Sequence, residues 1–279
     1  MQPDQEARLN DVYNLILNKG TRDWERQQLL ILKTAVETGN NFKTELARLE
    51  ANLRPLAVRD NLTPDMTDFY RKITGNAENA TAFDYSRHYA ADGPNQERAI
   101  FAGGCFWCMV EPFETRPGII AVTSGYTGGD TENPTYDQVI GQYTNHVEAV
   151  EIIFDTKIIK YADLVTLFWQ IIDPTDDQGQ MNDRGNEYRP VIFVRNAQQR
   201  KIATASKQQL AASGKYKRPI VTAIEPATKF WPAENFHQEF YKKNHQRYRR
   251  TEITRKQFLA VQHLQNKLRI GLKNLKKKH

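Results

Sequence analysis

Residues 99–108 read AIFAGGCFWC, and the order of residue types in them decides the architecture of more than half the chain. Ala99–Ala102 is an apolar run suited to a buried strand, and it passes straight into Gly103-Gly104. From Phe106 to Phe113 the pattern fits a helix, so a strand hands over to a helix across two glycines and a cysteine. Both cysteines of the protein, Cys105 and Cys108, lie at this junction. A thiol at a helix N-terminus meets unpaired backbone N–H groups and the positive end of the helix dipole, which predicts a lowered pKa. The glycines permit unusual backbone angles and close approach of a substrate to the sulfur. Cys108, one turn on, is spaced to attack an oxidised Cys105. Zinc binding needs further ligands, for which only scattered histidines such as His146 and His237 are at hand. Two inert cysteines and a thiol–disulfide exchanger are the other readings of the pair. Against the exchanger, Phe106 and Trp107 form an aromatic surface beside the sulfur, which suits a methyl or thioether-like group.

Working outward, residues 97–245 alternate strand and helix signals and predict an α+β domain. In Val147–Phe154, Val150, Ile152 and Phe154 share one face of a half-buried strand. Tyr161–Ile171 and Ala197–Ala212 read as helices, and Val191–Arg195 and Ile220–Ile224 as strands. Long connections at Ser124–Tyr136 and Asp173–Tyr188 are where a site is expected.

Residues 76–96 lose all periodicity in a Gly-, Asn- and Ala-rich linker. Residues 1–75 read as about four short helices, a small all-α bundle of accessory character. In it Phe42, Leu46, Leu49, Leu53 and Leu56 fall on one face. Pro55 predicts a bend or stop, and Thr63-Pro64 starts the next helix with Met66, Phe69, Tyr70 and Ile73 inward. Residues 246–279 form a basic amphipathic tail, with Val261, Leu264, Leu268, Leu272 and Leu275 as its stripe and Thr254 and Gln257 as a capping box.

The chain has 279 residues and a net charge of +6. Residues 246–279 alone carry eleven Lys or Arg and one acid, a net of +10, so the rest of the chain carries −4. The basic balance belongs to the tail, and nucleic acid is not an expected partner. No apolar run approaches the length of a membrane helix, the first ten residues lack a signal-like core, and two cysteines make no disulfide scaffold. A cytoplasmic protein is expected.

Five separated stretches, AGGCFWC, SGYTGGDTENPTY, NHVEAVEIIFD, NDRGNEYRPVIF and FHQEFYKKN, resemble in order and spacing the A-type peptide-methionine sulfoxide reductases. The resemblance spans about 97–245 and implies a ferredoxin-like two-layer sandwich. It also implies reduction of the S epimer of methionine sulfoxide, free or in proteins, as oxidative damage repair, without cofactor or metal. By the same resemblance Cys105 is the nucleophile and Glu148 the proton donor. Phe106 and Trp107 hold the methyl group, Tyr136 and Tyr188 hydrogen-bond the sulfoxide oxygen, and Asp183 organises the pocket. Glu148 on its strand would have its pKa raised by desolvation. The implied cycle passes through a Cys105 sulfenic acid and is closed by thioredoxin. This chain has no cysteine near its C-terminus, so a direct Cys105–Cys108 disulfide is expected. Asn145 stands where many relatives have glycine. Residues 41–70 also resemble helical bacteriocin-immunity proteins. A thioredoxin-like oxidoreductase indifferent to Glu148, and a binding protein with a vestigial reductase domain, are the competing readings.

Overall fold

A computed structural model describes residues 3–18, 20–57, 61–75, 83–234 and 237–276, with side chains in the last helix described through Gln262. The chain divides into two compact units, Met1–Phe83 and Asp84–His279.

Among the described residues the first unit holds four helices: α1 (Pro3–Leu17), α2 (Asp23–Glu37), α3 (Phe42–Ala57) and α4 (Pro64–Ile73). Leu49 and Leu53 of the α3 stripe are buried together with Val12, Leu29, Leu32, Met66 and Phe69. Phe42, Leu46 and Leu56 pack at the margin of that core. Pro55 sits in the last turn of α3, where it removes the N–H that would donate to the Ala51 carbonyl, and the helix ends two residues on at Ala57. Pro64 opens α4 behind an extended Thr63. The fully buried carboxyl of Glu25 on α2 accepts from the Thr63 N–H at 2.7 Å and the Thr63 hydroxyl at 2.8 Å, fixing the start of α4.

In the second unit a short helix α5 (Ser86–Tyr89) precedes β1 (Gln96–Ala102), α6 (Trp107–Glu114), β2 (Ile119–Thr127), α7 (Tyr136–Ile140) and β3 (Val147–Asp155). Next come α8 (Tyr161–Ile171), the paired β4 (Gly179–Gln180) and β5 (Asp183–Arg184), and β6 (Val191–Val194). The chain closes with α9 (Ala197–Ala212), β7 (Ala223–Pro226), β8 (Trp231–Pro232), α10 (Phe240–Lys243) and α11 (His245–Lys276). Six strands form one sheet in the order β7-β6-β1-β3-β2-β8. Its centre is antiparallel throughout, β1 lying between β3 and β6, while β6 and β7 run parallel.

β3 departs from the half-buried strand expected of it: every residue from Val147 to Phe154 is buried. Val150, Ile152 and Phe154 face the main core, where Phe101, Phe113 and Phe168 pack. Val147 and Ala149, on the alternate face, join Ile100, Phe193 and Phe230 in a second cluster. Glu151 on that second face avoids exposure by pairing with Arg98 at 2.8 Å and His88 at 2.6 Å. β2 replaces the front of the long connection expected from Ser124 onward, and its Gly125 lets the Trp231 carbonyl come within 2.4 Å of where a Cβ would stand. The strand expected at 220–224 lies a few residues later, at 223–226.

The C-terminal segment also differs from its reading. Thr254 and Gln257 lie inside the continuous α11, where the Thr254 hydroxyl donates to the Arg250 carbonyl, so they form no cap. The inward face of α11 is Tyr248, Glu252, Arg255 and Leu259, whereas Val261 is exposed; the stripe positions from Leu264 on lie outside the described side chains.

Candidate active site

The β1–α6 junction places Cys105. Gly104 has φ +84, a left-handed angle, and a Cβ there would stand 2.7 Å from the Gln180 Cβ. Its N–H donates to the Tyr188 carbonyl at 3.2 Å, so the same turn ties down the 3-10 segment Asn186–Tyr188. Cys105 emerges partly exposed, and Cys108 follows, buried, in the first turn of α6 with its N–H on the Cys105 carbonyl at 3.0 Å. Both are free thiols.

β3 brings Glu148 to this junction. The side chain is 1% exposed, and its Oε2 accepts from the Phe106 N–H at 3.0 Å. Burial pushes its pKa up to about 8; Asp183 and Glu187 add to the rise, while the Phe106 N–H and the Cys105 thiol oppose it. Asp183, at the start of β5, is pushed up to about 6 by burial. Tyr188 lies within electrostatic reach of Glu148, Tyr136, Cys105 and Asp183, and burial raises its pKa.

The Cys105 thiol corrects the lowered pKa expected of a helix N-terminus. Burial first, then Glu148 and Asp183, push it well above its ordinary value. The Trp107 N–H pulls the other way but is outweighed. The neighbouring Phe106 N–H is taken by the carboxyl of Glu148. The resting site is therefore a thiol beside a carboxylic acid.

Phe106 is fully buried, its ring 5.9 Å from Tyr126, whereas Trp107 is partly exposed. Trp107 stacks on Phe240 at 3.9 Å and donates from Nε1 to His237 Nδ1 at 3.0 Å. The fully buried His237 also touches Phe106 and Tyr136, at 4.9 and 4.4 Å between ring centres. Burial depresses its pKa well below the usual histidine range, so the neutral ring accepts the indole proton. Glu234 accepts from the Tyr126 hydroxyl at 2.8 Å and from the Tyr136 N–H at 2.9 Å. Sequence reasoning assigns no role to Tyr126 or Glu234 and does not find this use of His237; the available signal is that Tyr126 lies within SGYTGGDTENPTY and His237 within FHQEFYKKN, while only the structure pairs Tyr126 with Glu148 across β2 and β3. Asn145, where glycine was expected, keeps a left-handed φ of 55, which asparagine tolerates.

On one side of Cys105 lies a cavity of about 350 Å³, bounded by Cys108, Asp183, Met181, Arg250, Arg255 and Leu259. Among the described residues no three His, Cys, Asp or Glu side chains converge to hold a metal ion, and no helix is long and apolar enough to cross a membrane.

Residues 97–268 match the sequence model of the peptide methionine sulfoxide reductase family, and residues 2–78 that of the bacteriocin immunity protein family. The first match runs past residue 245, where the resemblance was expected to stop, and takes in most of α11. Peptide methionine sulfoxide reductase MsrA 1 of Lactococcus lactis subsp. lactis is 56% identical over 178 residues, 64% of this chain and 97% of that protein. MsrA 2 of the same organism is 61% identical over 166 residues, 60% of this chain and 96% of that one. Among solved structures, Mxr1 from Saccharomyces cerevisiae in reduced form aligns with a TM-score of 0.51 and 27% identity, over 56% of this chain and 90% of that one.

Proposed function

The chain belongs to the peptide methionine sulfoxide reductase family, and from that premise we propose that it reduces the S epimer of methionine sulfoxide through Cys105, Glu148 and Cys108. The observation that carries this reading is the buried carboxyl of Glu148, held by the Phe106 N–H beside the Cys105 thiol and raised to a pKa of about 8. A sulfoxide oxygen leaves only when protonated, and a carboxylic acid that keeps its proton at neutral pH can supply one.

In the proposed step the Cys105 sulfur bonds to the sulfoxide sulfur while Glu148 protonates the oxygen. The oxygen ends on Cys105 as a sulfenic acid and methionine leaves; the thiol proton of Cys105 restores the proton of Glu148. Sulfur of the substrate is reduced and that of Cys105 oxidised. Tyr136 and Tyr188 donate to the oxygen, Asp183 adds negative charge at the pocket's edge, and Trp107, backed by the buried Phe106, faces the methyl group. The Cys108 thiol then attacks the sulfenic sulfur, forming the Cys105–Cys108 disulfide and releasing water. Thioredoxin, a dithiol, takes up the disulfide and restores both thiols. The strand–helix–strand–strand–helix–strand core built by β1, α6, β2, β3, α8 and β6 is read as a ferredoxin-like sandwich. Damage repair in a reducing, cytoplasmic setting, on free or protein-bound substrate, fits a working pair of thiols. The four-helix unit is read as accessory to this chemistry.

The test is racemic N-blocked methionine sulfoxide with dithiothreitol, the remaining epimers being separated by chiral chromatography. Loss of the S epimer alone is expected. No reduction by protein with a free Cys105 overturns the reading and directs attention to disulfide substrates.

A further inference from the structure

Cys108 carries a backbone feature that its own helix cannot satisfy. Four residues on, where an N–H would donate to the Cys108 carbonyl, stands Pro112, which has none. The missing donor comes from α11: Arg255, only 8% exposed, gives its Nη1 to the Cys108 carbonyl at 2.7 Å. Its Nη2 is held by Glu252 at 2.6 Å, and Tyr248, two turns earlier on the same face, reaches Glu111 of α6 at 3.1 Å. The guanidinium thus borders the cavity that both cysteines line.

We propose that Arg255 is a positioning residue for disulfide formation: it holds the first turn of α6 so that the Cys108 thiol is presented to Cys105, and sets a positive charge beside that thiol. The inference rests on the reading of Cys108 as the group that resolves the sulfenic acid. In that step a Cys105–Cys108 S–S bond forms, the sulfenic S–O bond breaks, and the Cys108 proton leaves with the oxygen as water. The attacking species is the thiolate. Burial pushes the Cys108 thiol up to about 12. The charged groups facing it are Arg255 and Glu252 from α11, Asp183 from β5 and Glu148 from β3; of these, Arg255 is the one that favours the thiolate. Arg250 lines the same cavity. Pocket and α6 backbone thereby use one side chain for two tasks, which a lysine performs only in part.

The test is a single turnover of the full chain with excess N-acetyl methionine sulfoxide and no reductant. Released methionine is measured by chromatography, and the sulfenic acid and disulfide by dimedone trapping and mass spectrometry, across a pH series. Arg255→Met takes from the buried Glu252 the nearer of its two cations, leaving Lys256 at 3.2 Å, so Arg255→Met/Glu252→Gln is run beside it. In both, disulfide formation should slow roughly tenfold or more relative to methionine release, with dimedone adduct accumulating. Its pH midpoint should move upward, and Arg255→Lys should restore the midpoint. Wild-type partition between the two steps and an unmoved midpoint in the double variant overturn the proposal. Thioredoxin-driven turnover by Cys108→Ser would instead remove the premise, and is told apart because it needs no change at Arg255.

Discussion

The backbone N–H of Phe106 donates to Oε2 of Glu148 at 3.0 Å, so the first peptide after Cys105 is tied to the acid rather than to the thiol. That bond explains two features together. It fixes the carboxyl of β3 against the start of α6, and it removes from Cys105 one of the donors that a helix N-terminus offers an anion. With burial added, thiol and carboxyl are both held protonated, the state from which a proton can pass to an oxygen as the sulfur attacks.

Glu148→Gln keeps an acceptor for Phe106 but has no proton of suitable acidity to give. Single-turnover release of methionine should fall roughly a hundredfold to ten-thousandfold. In the wild type the step should weaken as pH rises through about 8, where Glu148 loses its proton. A stopped-flow pH series on both proteins checks this, and a wild-type rate in Glu148→Gln would sink the assignment.

Cys108→Ser should release one methionine per enzyme and then stop. Its Cys105 remains as sulfenic acid, detectable by dimedone labelling, while turnover with thioredoxin is lost. Repeated thioredoxin-dependent turnover in this variant would refute the direct disulfide.

How much of this was legible depended on how local the signal was. Helices α8 and α9 were readable to the residue because their apolar spacing and their ends are written in neighbouring positions. The reductase motifs were equally local, and so was the immunity-protein resemblance of the N-terminal unit. β2 was not readable, since Ser124 and Gly125, with the glycines after Tyr126, look like a loop until β8 pairs with Gly125 and Tyr126. The second face of β3 was hidden for a related reason: Glu151 reads as solvent-facing, and only the distant Arg98 and His88 make its burial tolerable. Glu234 and Arg255 act on Tyr136 and Cys108 across about a hundred residues or more of chain, so no spacing rule reveals them. The upward shift of Cys105 is hidden for the same reason: helix position is visible in sequence and desolvation is not.

Glu234→Ala should disturb the side of the pocket proposed to bind the sulfoxide oxygen without touching the cysteines. It leaves the buried Tyr126 hydroxyl and the Tyr136 N–H without their acceptor. A loss of roughly tenfold in kcat/KM is expected. Glu234→Gln, which retains an acceptor, should recover most of it. Steady-state kinetics on both variants decide the matter.

Gly104→Ala tests the turn itself. Alanine would carry a φ of +84 and press its Cβ to 2.7 Å from the Gln180 Cβ. A cost of roughly 2 kcal/mol is expected, read as a fall of roughly 4 to 8 °C in the melting temperature of the reductase unit. An unchanged melting temperature would mean that the turn relaxes freely.

The buried acid also sets how stability responds to pH. Glu148 has an ordinary value of 4.5 and a folded value of about 8, so between these the folded protein keeps a proton that the unfolded chain has lost. Stability contributed by this group is therefore complete below about 4.5 and declines as pH rises toward 8. Glu148→Gln cannot titrate and escapes the decline. Urea titrations at pH 5 and pH 8 should show the variant gaining on the wild type at the higher pH. The gain reports chiefly on Glu148, because every other titrating residue is present in both proteins and Cys105, which Glu148 helps to raise, is held up first by burial. Equal differences at both pH values would place the ordinary carboxyl pKa in the folded state and remove the acid from the proposed chemistry.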